Sequence, residues 1–433
     1  KISYETKLSD FYSIDLRNQW IEELNINLVK KNKKPIKLSI NDNELYGAIT
    51  LRDLVKMQAG FKWDESYSNP LGDFMAALYL SGTADIVKAS LTVPMELPPG
   101  KKFNYSGGNA NLIQGILQQL GVENFNTKDP NVTAHLLLFD RIGIKDAFFE
   151  TDQKGSAIGS TYLHIKPKGM ALLGQLYLNR GYWNDGNGNR VQILSDEFVE
   201  ALSSINSAVD HADIDEKYLE YIKEEGVPSN AITWLNKPVI DSKDVIRYEQ
   251  EFPSSPSDMF VLAGHNGQMI FVLPSQEMVI AITGSNKGYW DKIDKIAYSA
   301  TTCFSGLKLA PDKLPNLLNP PEIEKPKSFL KKAKESVLDL SKNLSPALKL
   351  LFSNVASGAA AKELCSCMNV DIQTLDLKKA IKYCPGDLPQ VVQKNYSIKT
   401  NFDEGYVEVK SMTHFFKRRA RLTNYGCTLE PVE

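Results

Sequence analysis

The sequence has little net charge and no long apolar run. Its 50 Lys and Arg residues nearly balance 52 Asp and Glu residues, which gives a formal net charge of −2. This balance argues against nucleic acid as a partner. Apolar runs such as residues 278–283 have the length of a strand, whereas a membrane-spanning helix needs about 20 residues.

Histidine and cysteine are also scarce. The five histidines are scattered without ligand spacing, Cys365 and Cys367 are separated by one residue, and no cofactor motif is present. The sequence therefore predicts neither a metal nor a cofactor. Four of the five cysteines fall in the last 69 residues. Two disulfides there would suit an exported protein and favour the periplasm or cell envelope of a bacterium, with buried free thiols as the alternative.

Changes in composition suggest three parts. Residues 311–327 contain five prolines, which predicts a linker between a large domain at 1–310 and a small cysteine-containing domain at 328–433. After the linker, Val337, Leu340, Leu344, Leu348 and Leu351 recur at helical spacing opposite a lysine-rich face. This amphipathic helix either docks on the large domain or lies on an anionic membrane.

Local patterns predict a mixture of helices and strands. Thr50 and Asp53 form a capping pattern for a helix over 49–57, and apolar spacing predicts helices near 16–29, 111–120, 168–178 and 292–303. Short strands are expected at 259–262, 269–273, 278–283, 396–400 and 406–410.

Two loops could carry chemistry. Tyr105 lies between a Pro-Pro-Gly turn and a helix, where a neighbouring ammonium group would favour its phenolate and make it a proton acceptor. The alternative is a packed aromatic with a satisfied hydroxyl. His265, Asn266 and Gly267 separate two strands, and a backbone amide there could stabilise an oxyanion. Taken alone, His265 is more often a hairpin residue.

Read together, five segments in order over about residues 45–305 resemble one family. The segments 49–60, 61–70, 97–106, 172–181 and 263–274 are similar to class C β-lactamases and their esterase relatives, and the second narrows the resemblance to nylon-oligomer (6-aminohexanoate-dimer) hydrolases. The resemblance implies a β-lactamase-like α/β (α+β) domain, an antiparallel sheet flanked by helices, with a small C-terminal α+β domain.

The resemblance also assigns roles. Tyr105 occupies the position of the presumed general base in the Tyr-x-Asn motif, with Gly107 in place of the asparagine. His265, Asn266 and Gly267 occupy the substrate-binding Lys-Thr-Gly position. A neutral histidine lacks the fixed positive charge of lysine, which weakens the case for a β-lactam carboxylate.

The first family motif, Ser-x-x-Lys, has no counterpart in order. None occurs in residues 1–48, and the matches at Ser305 and Ser328 follow the third motif. Three explanations stay open: a serine upstream of Lys1, a domain that has lost its nucleophile, or a rearranged motif order. The predicted function is a serine hydrolase that cleaves an amide or ester, acting on a small molecule or peptide. The alternative is an inactive protein of this fold that binds cell-wall peptide or a protein partner.

Overall fold

The structure is a computed structural model in which most of the chain before residue 285 can be described. The described residues are 2–30, 32–66, 69, 72–79, 85–206, 227–240, 246–253, 255–284, 299–300, 359–362, 364–365, 396–401, 406–411, 417–423 and 426–430. The predicted linker at 311–327 and the amphipathic helix after it lie outside these residues, as does nearly all of the helix predicted at 292–303.

The chain forms two compact units that interleave in sequence. The first unit comprises Lys1–Trp63, Val87–Phe149 and Gly155–Lys308. The second unit comprises Asp64–Ile86, Glu150–Lys154 and Leu309–Glu433. Two short segments from the predicted large domain therefore associate with the C-terminal part of the chain. The predicted boundaries at 310 and 327 stay a prediction.

The helices predicted near 16–29, 49–57, 111–120 and 168–178 are present, together with shorter helices that were not predicted. Thr50 caps its helix reciprocally with Asp53: the Thr50 backbone N–H donates to the Asp53 carboxylate at 2.8 Å, and the Asp53 N–H donates back to the Thr50 hydroxyl. The helices are α1 Ile14–Lys30, α2 Asp42–Ala48, α3 Leu51–Val55, α4 Asp73–Tyr79, α5 Ile86–Leu91, α6 Gly107–Phe125, α7 Pro130–Ala134, α8 Pro167–Leu178 and α9 Asp196–Ala201. In the described part of the chain, no helix is both long enough and apolar enough to cross a bilayer.

Short antiparallel pairs of strands lie outside the main sheet. Their strands are β1 Phe148–Phe149 with β2 Leu163–His164, β3 Tyr182–Asn184 with β4 Arg190–Gln192, and β7 Val239–Ile240 with β8 Ile246–Tyr248. A turn at residues 185–189 joins β3 to β4, where the Asp185 carboxylate accepts the Asn187 and Asn189 backbone N–H groups.

The main sheet of the first unit contains five antiparallel strands. In chain order they are β5 Val227–Pro228, β6 Trp234–Leu235, β9 Phe260–Gly264, β10 Gln268–Leu273 and β11 Met278–Ile282, and the spatial order is β11-β10-β9-β6-β5. Both faces of β10 are buried. Ile270 and Val272 pack with Met170, Leu173 and Leu176 of α8, while Met269, Phe271 and Leu273 pack with Phe252 on the opposite face. The predicted sheet flanked by helices is confirmed.

A second sheet forms the core of the second unit. Its strands, β12 Tyr396–Asn401, β13 Tyr406–Ser411, β14 Lys417–Thr423 and β15 Gly426–Leu429, form a four-stranded antiparallel meander. Val407, Val409 and Ala420 pack on Ala361 and Leu364 of a helical segment. A disulfide joins Cys365 to Cys427, a pairing that the sequence left open. Cys303, Cys367 and Cys384 lie outside the described residues.

Candidate active site

The loop that carries Tyr105 is fixed by its neighbour Asn104. The Asn104 backbone N–H donates to the Met57 carbonyl oxygen at 2.8 Å. Its side-chain amide donates to the carbonyl oxygens of Trp63 at 3.2 Å and Phe61 at 3.4 Å. Because three hydrogen bonds anchor the preceding residue, the backbone that presents Tyr105 is held from one side.

The start of α6 holds the same loop from the other side. Ser106 is the N-cap, and its hydroxyl accepts the Asn109 backbone N–H at 3.2 Å. Gly108 follows in the first turn, where an added Cβ would lie only 2.7 Å from the Trp63 ring. A side chain larger than hydrogen therefore cannot fit between α6 and Trp63 without displacing one of them.

The Tyr105 ring packs on Trp234 of β6. The ring centroids are 5.7 Å apart with an interplanar angle of 35°, and Tyr105 is half-buried. Trp234 pairs with Val261 of β9 in the main sheet. The Tyr105 side chain is thus placed against the sheet.

The His265–Gly267 turn closes the hairpin between β9 and β10. It is a single 3-10 turn, and Gly267 has a φ of +84°, a conformation that favours glycine. The His265 side chain is exposed. Gln268 supports the turn by donating to the Gly284 carbonyl oxygen at 2.6 Å and accepting the Gly284 N–H at 3.2 Å. The backbone of Asn266 forms the middle of this turn.

The two loops lie around the same strand. In the described residues, pairing between β6 and β9 covers only Phe260 and Val261, so residues 262–264 of β9 extend past β6 towards His265. His265 follows Val261 by four residues, which is about 13 Å along an extended strand. Tyr105 thus packs on β6, and the adjacent strand β9 leads to the turn.

Three supporting residues were not expected from the sequence. Trp234 and Asn104 are described above, and Gln58 is the third. The buried Gln58 amide donates to the Asn206 side-chain oxygen at 2.6 Å, and Asn206 donates to the Lys56 carbonyl oxygen at 3.1 Å. These contacts hold residues 56–58, which include Met57, the residue whose carbonyl oxygen accepts the Asn104 N–H. No local signal could reveal them, because Gln58 and Asn206 are 148 residues apart.

Chemical groups and cavities also occur in other parts of the described chain, away from the Tyr105 loop. Among the described residues, no group of three His, Cys, Asp or Glu could hold a metal ion. A groove of about 620 Å³ lies along α1; its lining does not include Tyr105 and combines aliphatic with polar and charged side chains in equal number. Ser305 and Ser328 lie outside the described residues.

Comparison with known proteins finds one matching family. A family model described as Beta-lactamase matches residues 35–127, the segment that contains α2, α3, Tyr105 and α6. Over this segment, the chain is similar to the β-lactamase family. No curated protein shows significant similarity to the chain.

Solved structures give weaker similarities. A proposed 6-aminohexanoate-dimer hydrolase from Bacillus anthracis is 20% identical, with a TM-score of 0.43 over 68% of this chain and 73% of that protein. A β-lactamase from Mycobacterium bovis is 9% identical, with a TM-score of 0.37 over 70% of this chain and 88% of that protein. Neither similarity carries an argument about the function of this chain.

Proposed function

We propose that the protein is a serine hydrolase that cleaves an amide or ester bond through an acyl-enzyme. The observation that carries the proposal is the position of Tyr105. It lies inside the segment that matches the β-lactamase family, on a loop held at both ends by Asn104 and Ser106, and packs on β6, the neighbour of the strand that leads to His265.

Tyr105 is the proposed general base. A serine hydroxyl attacks the substrate carbonyl carbon, and its proton passes to the Tyr105 phenolate oxygen as the new C–O bond forms. The same proton then goes to the leaving nitrogen or oxygen as the old bond breaks. Water, deprotonated in the same way, hydrolyses the acyl-enzyme and restores the serine. Packing against Trp234 restricts the ring to few orientations, which this transfer requires.

The strand edge at residues 262–267 is the proposed substrate-binding element. Backbone N–H groups on such an edge can donate to the oxyanion of the tetrahedral intermediate. His265 stands at its exposed end, where it can contact the substrate acyl or leaving group. Because a neutral imidazole does not hold a carboxylate as lysine does, we propose a linear amide or ester in preference to a β-lactam.

The nucleophile is best found by covalent labelling. The protein is exposed separately to a fluorophosphonate and to a penicillin, and the intact mass is measured, followed by digestion to map any adduct. We expect one fluorophosphonate adduct per chain. Tyr105→Phe should slow labelling by about 10² to 10⁴-fold, the usual contribution of a general base. Tyr182→Phe is the control, because Tyr182 is stacked on Arg190 in the β3–β4 hairpin.

A second candidate function follows from the lack of an in-order Ser-x-x-Lys motif in residues 1–48. In this case the same strand edge binds a cell-wall peptide or a protein partner without cleaving it. A folded sample that gains no mass from either reagent, yet binds a peptidoglycan stem peptide with an affinity that His265→Ala lowers, would favour binding. A mapped adduct on Ser305 or Ser328 would instead contradict the proposed motif order.

The proposal includes a location in the cell envelope. The Cys365–Cys427 disulfide supports it, because stable disulfides form mainly in oxidising compartments. Thiol labelling of the protein taken directly from cells tests it: we expect Cys365 and Cys427 to be protected until a reductant is added.

A further inference from the structure

The sheet of the second unit has one apolar face and one charged face. Alternation along β13 and β14 directs Val407, Val409 and Ala420 into the core. The residues between them point to the opposite face. This basic face, as we name it, carries five cations and two carboxylates: Lys399, Lys410, Lys417, Arg419, Arg421, Glu408 and Glu430.

The pairing of the strands concentrates the positive charge. Lys399 and Arg419 both lie directly opposite Glu408, one on each neighbouring strand. Lys410 lies directly opposite Lys417, an arrangement of like charges that is unfavourable by itself. The register therefore places more cations around Glu408 than one carboxylate can neutralise.

Both carboxylates already have partners. Glu408 contacts Arg419 at 2.8 Å and Lys417 at 3.8 Å, and Glu430 contacts Arg421 at 2.7 Å. Among the described residues of the basic face, five cations stand with two carboxylates, which gives this set a formal net charge of +3. Lys399 and Lys410 are exposed, and the side chains of Lys417 and Arg421 are each 44% exposed. An anionic partner can therefore reach them.

The charge of the chain shows the same asymmetry. Residues 328–433 contain 16 Lys and Arg against 11 Asp and Glu, a net charge of +5, whereas residues 1–327 contain 34 against 41. The basic face thus belongs to the positively charged end of a chain that is slightly negative as a whole. Such an asymmetry orients a protein towards an anionic surface.

The aromatic content of the basic face argues against nucleic acid. Sheets that bind single strands stack bases on exposed aromatic side chains. The one aromatic residue between these charges in the described strands is Tyr406, which is 7% exposed and covered by Arg419 at 4.1 Å from its ring centroid. Phosphate groups, and not bases, are what this surface can recognise.

We propose that the basic face binds the surface of a membrane that contains anionic phospholipid. The neighbouring disulfide fits an envelope protein, for which such a membrane is the nearest anionic surface. Lysines and arginines near an anionic bilayer each strengthen binding by roughly fivefold. A flat sheet face can bring several of them to the headgroups together.

Co-sedimentation of the whole chain with lipid vesicles tests the proposal. Vesicles of phosphatidylglycerol and phosphatidylcholine are compared with vesicles of phosphatidylcholine alone, at low and high salt. We expect binding only to the anionic vesicles and loss of binding at high salt. The triple variant Lys399→Gln, Lys410→Gln, Lys417→Gln should bind about a hundredfold more weakly.

The matched control removes three exposed lysines from the first unit: Lys33→Gln, Lys34→Gln, Lys37→Gln. It changes the net charge equally and should bind nearly as well as the unaltered protein. The charge-preserving triple variant Lys399→Arg, Lys410→Arg, Lys417→Arg should bind as well as the unaltered protein. This result would separate loss of charge from loss of fold. Equal binding to phosphatidylcholine, or an equal loss in both glutamine triples, would overturn the proposal. So would tighter binding to a single-stranded oligonucleotide or to inorganic phosphate than to the vesicles.

Discussion

Among the described residues, each unit contains one fully buried ion pair, and the two pairs are built differently. In the first unit, Arg17 pairs with Asp42, with side chains 0% and 1% exposed. In the second, Lys362 pairs with Glu150, with side chains 2% and 0% exposed. A buried charge is costly unless its partner and its remaining donors are satisfied. The two units satisfy the partners of their buried charges in different ways.

The arginine pair is satisfied by a network of hydrogen bonds. Arg17 also donates to the carbonyl oxygens of Leu91 at 2.9 Å and Val93 at 3.0 Å, and the second Asp42 oxygen accepts the Met95 N–H at 2.8 Å. This network ties α1 and α2 to the end of α5. Tyr46 packs beside this network, and its own burial raises the pKa of its hydroxyl. That hydroxyl donates to the Tyr12 carbonyl oxygen at 2.6 Å.

The lysine pair is supported by a covalent bond. Lys362 donates both to Glu150 and to the carbonyl oxygen of Cys427, the residue that forms the disulfide with Cys365. Residues 362 and 150 are 212 positions apart. Thr428 reinforces the same junction by donating to the Thr151 carbonyl oxygen at 2.9 Å. The lysine ammonium thus joins segment 150–154 to the C-terminal sheet.

The largest effect is expected from breaking the arginine pair. Asp42→Ala leaves the Arg17 charge buried without its partner and should lower the free energy of unfolding by about 3–5 kcal/mol. Denaturant unfolding followed by tryptophan fluorescence measures this, because all five tryptophans lie in the first unit. Glu5→Ala is the control: its pair with Arg52 is exposed and should contribute less than about 1 kcal/mol. Equal losses would show that burial does not distinguish these pairs.

Much of the first unit could be predicted from local signals. The capping box at Thr50, the apolar spacing of α8 and the hairpin around Gly267 are each specified within a few residues. The position of Tyr105 on its loop followed in the same way. Its contact with Trp234 did not, because that contact depends on a strand of two residues with no periodicity to detect.

The sequence does not reveal which segments of the chain form the second unit. Segments 64–86 and 150–154 lie within the large domain by every local criterion. They associate with the C-terminal sheet through contacts such as the Arg418 guanidinium with the Tyr79 carbonyl oxygen at 2.9 Å. A buried Arg or Lys has no sequence signature, since these residues are normally exposed.

The next largest effect is expected from removing the covalent support of the lysine pair. The disulfide closes a loop of 62 residues, and Cys365→Ser with Cys427→Ser should destabilise the second unit by about 2–4 kcal/mol. Hydrogen exchange of β13 and β14 should accelerate accordingly. Tryptophan-detected unfolding of the first unit should not change. Faster hydrogen exchange confined to the first unit would contradict the conclusion that the disulfide stabilises the second unit.

The smallest effect is expected from an exposed group of charges in the first unit. The hydrogen bond from His135, and then that from Lys145, lowers the pKa of Asp140 below its ordinary value. The two His135 ring nitrogens lie 3.0 Å from the Asp140 carboxylate and 2.8 Å from the Ala147 carbonyl oxygen. The Asp140 side chain is 44% exposed, so solvent screening limits its contribution to well under about 1 kcal/mol.

The sign of this pH dependence follows from the lowered pKa. Because folded Asp140 holds its proton less tightly than the unfolded chain, its contribution is present above about pH 3.9, the ordinary aspartate value, and is lost as the pH falls through the lowered folded value. Asp140→Asn should therefore destabilise the protein slightly near neutral pH and not at all in strong acid. Unfolding free energies of both proteins at the two pH values measure this. A difference as large as that of Asp42→Ala would mean that exposure does not separate the two kinds of pair.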